Sequence, residues 1–136
     1  MSDKHDTILV YACRHSAYRA ADEAGRKRLT YSPRVEIVPL PCSGAVSVHE
    51  IILSLENEAD GVIIMGCNQG SCHHQNGNHW AEQRAGEVRK KLDQMGMNQD
   101  KVQFINIGPD NAHQFVKAVE QMIISLEEGS SREAAG

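Results

Sequence analysis

Cys13, Cys42, Cys67 and Cys72 are the side chains in this sequence best suited to chemistry, because a thiolate is both a soft metal ligand and a nucleophile. Three of them close short apolar runs: Cys13 ends TILVYAC, Cys42 ends VEIVPLPC and Cys67 ends GVIIMGC, while Cys72 follows in the next loop. If those runs are parallel strands, the thiols gather at one edge of a sheet, the geometry of a metal or cluster site. Thiolate sulfur is the usual ligand of iron–sulfur clusters, and a two-iron, two-sulfur cluster needs four protein ligands, most often cysteines. The C-x4-C spacing of Cys67 and Cys72 also occurs in plant-type ferredoxins. Between them, Asn68, Gln69, Gly70 and Ser71 suit a loop that turns amide N–H groups toward sulfur. Cys42 lies in PCSGAV, where Ser43 and Gly44 precede a helix whose N-terminal amides favour a thiolate. Any one of these cysteines reads almost equally well as a small buried hydrophobe, but a shared edge for all four weighs against that.

Two other chemistries compete for the same residues. His73 and His74 could join Cys67 and Cys72 around zinc, although structural zinc sites usually show tighter paired spacings. The stretch from Cys13 to Arg19 fits C-x5-R directly after a strand, and is similar to the anion loop of low-molecular-weight tyrosine phosphatases and arsenate reductases. In that setting a low-pKa cysteine attacks while the arginine and loop amides hold the oxyanion. Against it stand Ala20 where a Ser or Thr would support the thiolate, a loop with no glycine, and no Asp-Pro pair to act as general acid. His5, His49 and His113 read as ordinary surface residues.

The elements that must position the thiols follow from hydrophobic period. Ile8 to Tyr11, Val35 to Leu40, Gly61 to Met65 and Val102 to Ile107 are β-branched-rich runs that read as strands buried on both faces. Each is followed by a helical pattern. From about Ser16 to Arg28, Ala17, Ala20, Ala21 and Ala24 make a small-residue face. The second helix opens with the capping box Ser47 to Glu50 and stacks Val48, Ile51, Ile52 and Leu55. The third, from about His79 to Met95, turns Ala81, Ala85, Val88 and Leu92 inward. The fourth aligns Ala112, Phe115, Val116, Val119, Met122, Ile123 and Leu126. Repeated βα units imply an α/β fold: a single three-layer flavodoxin-like or Rossmann-like domain on a four-stranded parallel sheet, order 2-1-3-4. Its functional crevice is expected beyond the carboxyl ends of the first and third strands. That domain is expected to span 1–128, with a disordered tail over 129–136.

A chain of 136 residues fits one domain and can bury a core without disulfides. Its net charge of −4 leaves no basic stripe for nucleic acid or an acidic membrane surface. No segment is long and apolar enough for a signal peptide or a membrane span, so direct membrane insertion is not expected and the cytoplasm is the expected location. Reduced thiols there point to metal, cluster or catalysis before disulfides.

The chain as a whole, from about Thr7 to Glu128, resembles the MvhD family, the delta subunit of methyl-viologen-reducing hydrogenase. The most specific part of the resemblance is G-C-x-x-G-x-C-H followed by G-N-x-x-A-x-x-R, here Gly66, Cys67, Gly70, Cys72, His73, Gly77, Asn78, Ala81 and Arg84. Cys42-Ser43-Gly44, and Cys13 with Tyr18, Ala21 and Asp22, add to it. The resemblance implies an electron-transfer subunit with a two-iron, two-sulfur cluster on Cys13, Cys42, Cys67 and Cys72, and with no catalysis of its own. It implies as partners a hydrogenase or other dehydrogenase subunit and the flavin-containing subunit of a heterodisulfide reductase-like complex. Many members carry C-x-x-C after the first strand, whereas Ser16 stands at the second position here and Ala12 precedes Cys13. The cluster then either uses all four thiols, or takes Ser16 or His15 as a ligand, or has been lost from a docking adaptor. The first of these is the expectation. Arg84, Lys90 and Lys91 are candidates for a docking face, and Tyr18 and Trp80 are expected to be packing residues.

Overall fold

The computed structural model describes residues 7–13, 17–27, 34–40, 46–57, 59–66, 77–108 and 111–135, with side chains throughout except at 77–79 and 128–135. The βα alternation expected from the sequence is present: β1 (Ile8–Cys13), α1 (Ala17–Arg26), β2 (Val35–Leu40), α2 (Val48–Asn57), β3 (Gly61–Gly66), α3 (Gly77–Gln94), β4 (Val102–Asn106) and α4 (Ala112–Ala135). A short 3-10 turn, Gln99–Lys101, leads into β4. The sheet is parallel with order β2-β1-β3-β4, as the pattern of apolar runs predicts.

Strand order decides burial. β1 and β3 lie inside the sheet and are buried at every position. The expectation that all four strands are buried on both faces fails at β2 and β4, which are edges and only partly covered. Pro39, which has no N–H to offer a further strand, sits in edge strand β2. On the free side of β4, Arg89 donates from Nη1 to the Val102 carbonyl at 2.7 Å, so a side chain occupies a position a foreign strand would need. Arg89 also pairs with Asp100 at 3.5 Å, beside an open groove of about 480 Å³ that contains no cysteine.

Alternation along the strands divides the core into two layers. Ile8, Val10, Ala12, Ile63, Met65 and Ile107 pack against α1 and α4. Leu9, Tyr11, Val62, Ile64 and Val102 pack against α2 and α3, with Val38, Leu40 and Phe104 beside them. The expected alanine face of α1 is buried, which allows close helix–sheet approach. Gly61 serves the same purpose under α4, since a Cβ there would lie 2.8 Å from Met122 Sδ. α4 extends across 129–135, where the sequence suggests a disordered tail. Among the described residues, no helix is long and apolar enough to cross a membrane.

Candidate functional site

The site is built from the carboxyl ends of the strands, because Cys13 ends β1 and Cys67 directly follows β3 in the sequence. Cys13 is the last residue of β1, is 1% exposed and takes part in no disulfide. Its Cα pairs with Leu40 of β2, two positions before Cys42. On the other side, Ala12 pairs with Met65, so Cys13 stands beside Gly66, the residue immediately before Cys67. Gly66 in turn pairs with Asn106 of β4. Leu40, Cys13, Gly66 and Asn106 therefore form one row across the sheet. At about 4.8 Å between neighbouring strands, Cys13 and Asn106 are about 10 Å apart with a glycine between them.

Side-chain alternation sets the face. Cys13 follows Leu9 and Tyr11, and Asn106 follows Val102 and Phe104, all on the layer covered by α2 and α3. Gly66 presents no side chain on that face. Asn106 Oδ1 is buried and has no hydrogen-bond partner. A buried, unpaired carbonyl oxygen costs about 1–3 kcal/mol, so it marks a place that wants a donor.

Two long-range hydrogen bonds and a local capping box hold the helices over this row. Tyr11 donates its hydroxyl to Ser54 Oγ at 2.7 Å, because the Ser54 hydroxyl is already given to the Glu50 carbonyl at 2.8 Å. That chain ties α2 to the strand ending in Cys13. The expected capping box is present, with Glu50 N–H donating to Ser47 Oγ at 3.1 Å and Ser47 N–H to Glu50 Oε1 at 3.2 Å. Arg84 of α3 donates from Nη1 to the Val46 carbonyl at 3.0 Å, joining the helix after Cys72 to the segment after Cys42.

Of the sequence-predicted ligands, only Cys13 lies in the described residues. Cys42, Cys67 and Cys72, like His15, Ser16, Ser43, Gly44, Asn68 to Ser71, His73 and His74, lie outside them. Among the described residues, no group of three or more His, Cys, Asp or Glu could hold a metal ion. In that row the buried Cys13 thiol, Gly66 and the unpaired Asn106 side-chain oxygen follow one another across the strand ends. Arg19, the arginine of the C-x5-R reading, is exposed on α1, and His49 and His113 are exposed as expected. Tyr18 and Trp80, expected to be packing residues, are 40% and 50% exposed on α1 and α3. Arg84 is not simply part of a solvent-facing docking surface, since it is half-buried and bonded to Val46. Asn106, Tyr11 and Ser54 carry no local sequence signal that marks them as part of the site.

A family model described as methyl-viologen-reducing hydrogenase, delta subunit, matches residues 8–128. The chain is 37% identical over 114 residues to an iron-sulfur subunit of the F420-non-reducing hydrogenase of Archaeoglobus profundus, covering 84% of this chain and 83% of that protein. It is 32% identical over 120 residues to the vhu iron-sulfur subunit of the F420-non-reducing hydrogenase of Methanocaldococcus jannaschii, covering 88% of this chain and 90% of that protein. A 25% identical match over 121 residues, 89% of this chain, takes up only 15% of one subunit of the ferredoxin/F(420)H(2)-dependent CoB-CoM heterodisulfide reductase of Methanosarcina acetivorans.

Proposed function

The chain belongs to the methyl-viologen-reducing hydrogenase delta-subunit family, and from that premise we propose that it is an electron-transfer subunit carrying a two-iron, two-sulfur cluster. It relays electrons from a hydrogenase or other dehydrogenase to the flavin-containing subunit of a heterodisulfide reductase-like complex, working in the cytoplasm. The observation that carries the reading is that one domain recurs in two settings. It aligns with separate hydrogenase iron-sulfur subunits over most of both chains, and with a small part of a longer heterodisulfide reductase subunit. A domain found both beside and within its redox partners is suited to bridging them.

Cys13, Cys42, Cys67 and Cys72 would hold the cluster, which when bound supplies one-electron storage. Burial of Cys13 keeps water from its sulfur and favours transfer through a docked partner over loss to solvent. The capped N-terminus of α2 comes a few residues after Cys42 in the sequence. The hydrogen bonds from Tyr11 and Arg84 restrain α2 and α3, so the segments bearing the ligands start from fixed supports. Residues 1–128 constitute the electron-transfer domain.

EPR of the anaerobically purified and reduced full chain tests this reading. A signal from one unpaired electron per chain, lost in Cys67→Ser, is expected. A chain that stays colourless and EPR-silent after iron and sulfide reconstitution would refute it.

A further inference from the structure

We propose that Arg89, with Gln114, closes the free side of β4 to strand addition and so keeps a second copy of this chain from pairing there. The device contains no cysteine and acts with or without a cluster. The Ile107 N–H points into the sheet, to the Gly66 carbonyl at 2.9 Å. Backbone groups alternate sides along a strand, so Gln103 and Ile105 also face β3, whereas Val102, Phe104 and Asn106 turn theirs to the open side. Two of those three outward carbonyls are already taken, and from opposite layers of the domain. Arg89 reaches from α3 and donates from Nη1 to Val102 at 2.7 Å, while Gln114 reaches from α4 and donates from Nε2 to Asn106 at a longer 3.5 Å. The Val102 N–H is held by the Gln99 carbonyl. Asp100 Oδ1, 3.5 Å from Arg89 Nη2, helps to fix the guanidinium in place.

The composition of β4 explains why such a block is needed. Val102 to Ile107, VQFINI, is six residues without charge, proline or glycine and is rich in β-branched and aromatic side chains, the composition of a segment that pairs with its own copies. The opposite edge is protected by other means: β2 carries Pro39, which has no N–H, and the exposed charge of Glu36. β4 has neither. Beside it runs the groove of about 480 Å³, lined by Ala85, Gly86, Arg89 and Phe104 among others. An added Cβ at Gly86 would meet nothing within 4 Å. The small residues of α3 thus leave that side open, and Arg89 is the group that stands in it.

The strand kept out is β4 of a second copy, antiparallel about a twofold axis at Phe104. A residue on such an axis pairs with its own mate, so the Phe104 N–H and C=O of each copy would bond to those of the other. Val102 of each copy would then lie opposite Asn106 of the other, and the carbonyls of those two residues are the ones that Arg89 and Gln114 occupy. The block falls on the hydrogen bonds that would extend the contact beyond its central pair.

Sedimentation velocity of the full chain over a concentration series, for wild type, Arg89→Ala and Asp100→Ala, tests this. Both copies in a twofold pair lose the block, so Arg89→Ala frees a Val102 carbonyl on each and should tighten self-association about tenfold or more. Asp100→Ala, which loosens the guanidinium without removing it, should shift association the same way but less, and it carries the test if far-ultraviolet circular dichroism shows that Arg89→Ala does not fold. The Phe104 amide, followed by NMR hydrogen exchange, should be slower in the associated variant than in the wild type, because the twofold pairing bonds it. Folded variants that stay as dispersed as the wild type at every concentration, or that associate while the Phe104 amide exchanges as before, would overturn the role of Arg89.

Discussion

Arg84 of α3 donates a 3.0 Å hydrogen bond to the carbonyl oxygen of Val46, 38 residues earlier in the chain. The two residues flank the segments that hold three of the four cysteines: Val46 follows Cys42, and α3 follows Cys67 and Cys72. A single guanidinium therefore couples the residue that opens the segment after Cys42 to the helix after Cys72. Arg84→Met should destabilise the apo protein by about 1–2 kcal/mol, because it strands the carbonyl of the buried Val46. Arg84→Lys should recover part of the loss. Urea denaturation measures both, and midpoints equal to wild type would contradict the assignment.

Tyr11 and Ser54 make the corresponding tie on the other helix of this layer. Tyr11→Phe leaves the Ser54 bond to Glu50 intact and removes one buried hydrogen bond at nearly constant volume. The expected cost is about 1 kcal/mol, with an unchanged denaturant slope. Ser54→Ala should cost more, since it leaves the tyrosine hydroxyl buried without an acceptor.

At the start of α2, Ser47→Ala removes the side-chain acceptor for the Glu50 N–H. A loss of about 1 kcal/mol is expected. Glu50→Gln keeps the reciprocal bond to Ser47 N–H and should lose less. A Glu50→Gln loss in thermal denaturation as large as that of Ser47→Ala would show that the Glu50 charge contributes as much as the Ser47 hydrogen bond.

Gly61 predicts a coupled pair. An added Cβ would lie 2.8 Å from Met122 Sδ, closer than packed atoms allow, and in a tight 3.0 Å contact with Leu126 Cδ1. Gly61→Ala should cost about 1–3 kcal/mol alone. In a Met122→Ala background the same change fills part of the space vacated and should cost less, a non-additivity that a double-mutant cycle detects.

The fold is legible in the sequence because the relevant signals are local. The apolar run of β2 bounds that strand correctly, the alanine face of α1 and the Ser47–Glu50 box stand at fixed spacings, and the βα alternation dictates a parallel sheet. β1 and β3 run one or two residues further than their apolar runs because neighbouring strands continue to pair with them, Cys13 with Leu40 and Gly66 with Asn106. The partial exposure of β2 and β4 depends on which strands have no outer neighbour, a property of the assembled sheet. The site is legible only in its cysteines. The ties from Tyr11 to Ser54 and from Arg84 to Val46 join residues far apart in sequence, and Asn106 looks like any polar strand end until its buried oxygen is seen to lack a donor. Tyr18 and Trp80 escape burial because alanines already fill the inward faces near them.

Iron and acid-labile sulfide per chain, measured on the full protein reconstituted anaerobically and then desalted, decide whether the thiols hold a cluster. About two of each are expected in the wild type, the stoichiometry of a two-iron, two-sulfur cluster, with a sharp loss in Cys13→Ser. Wild-type protein that retains neither element, or Cys13→Ser protein that retains both in full, would contradict it.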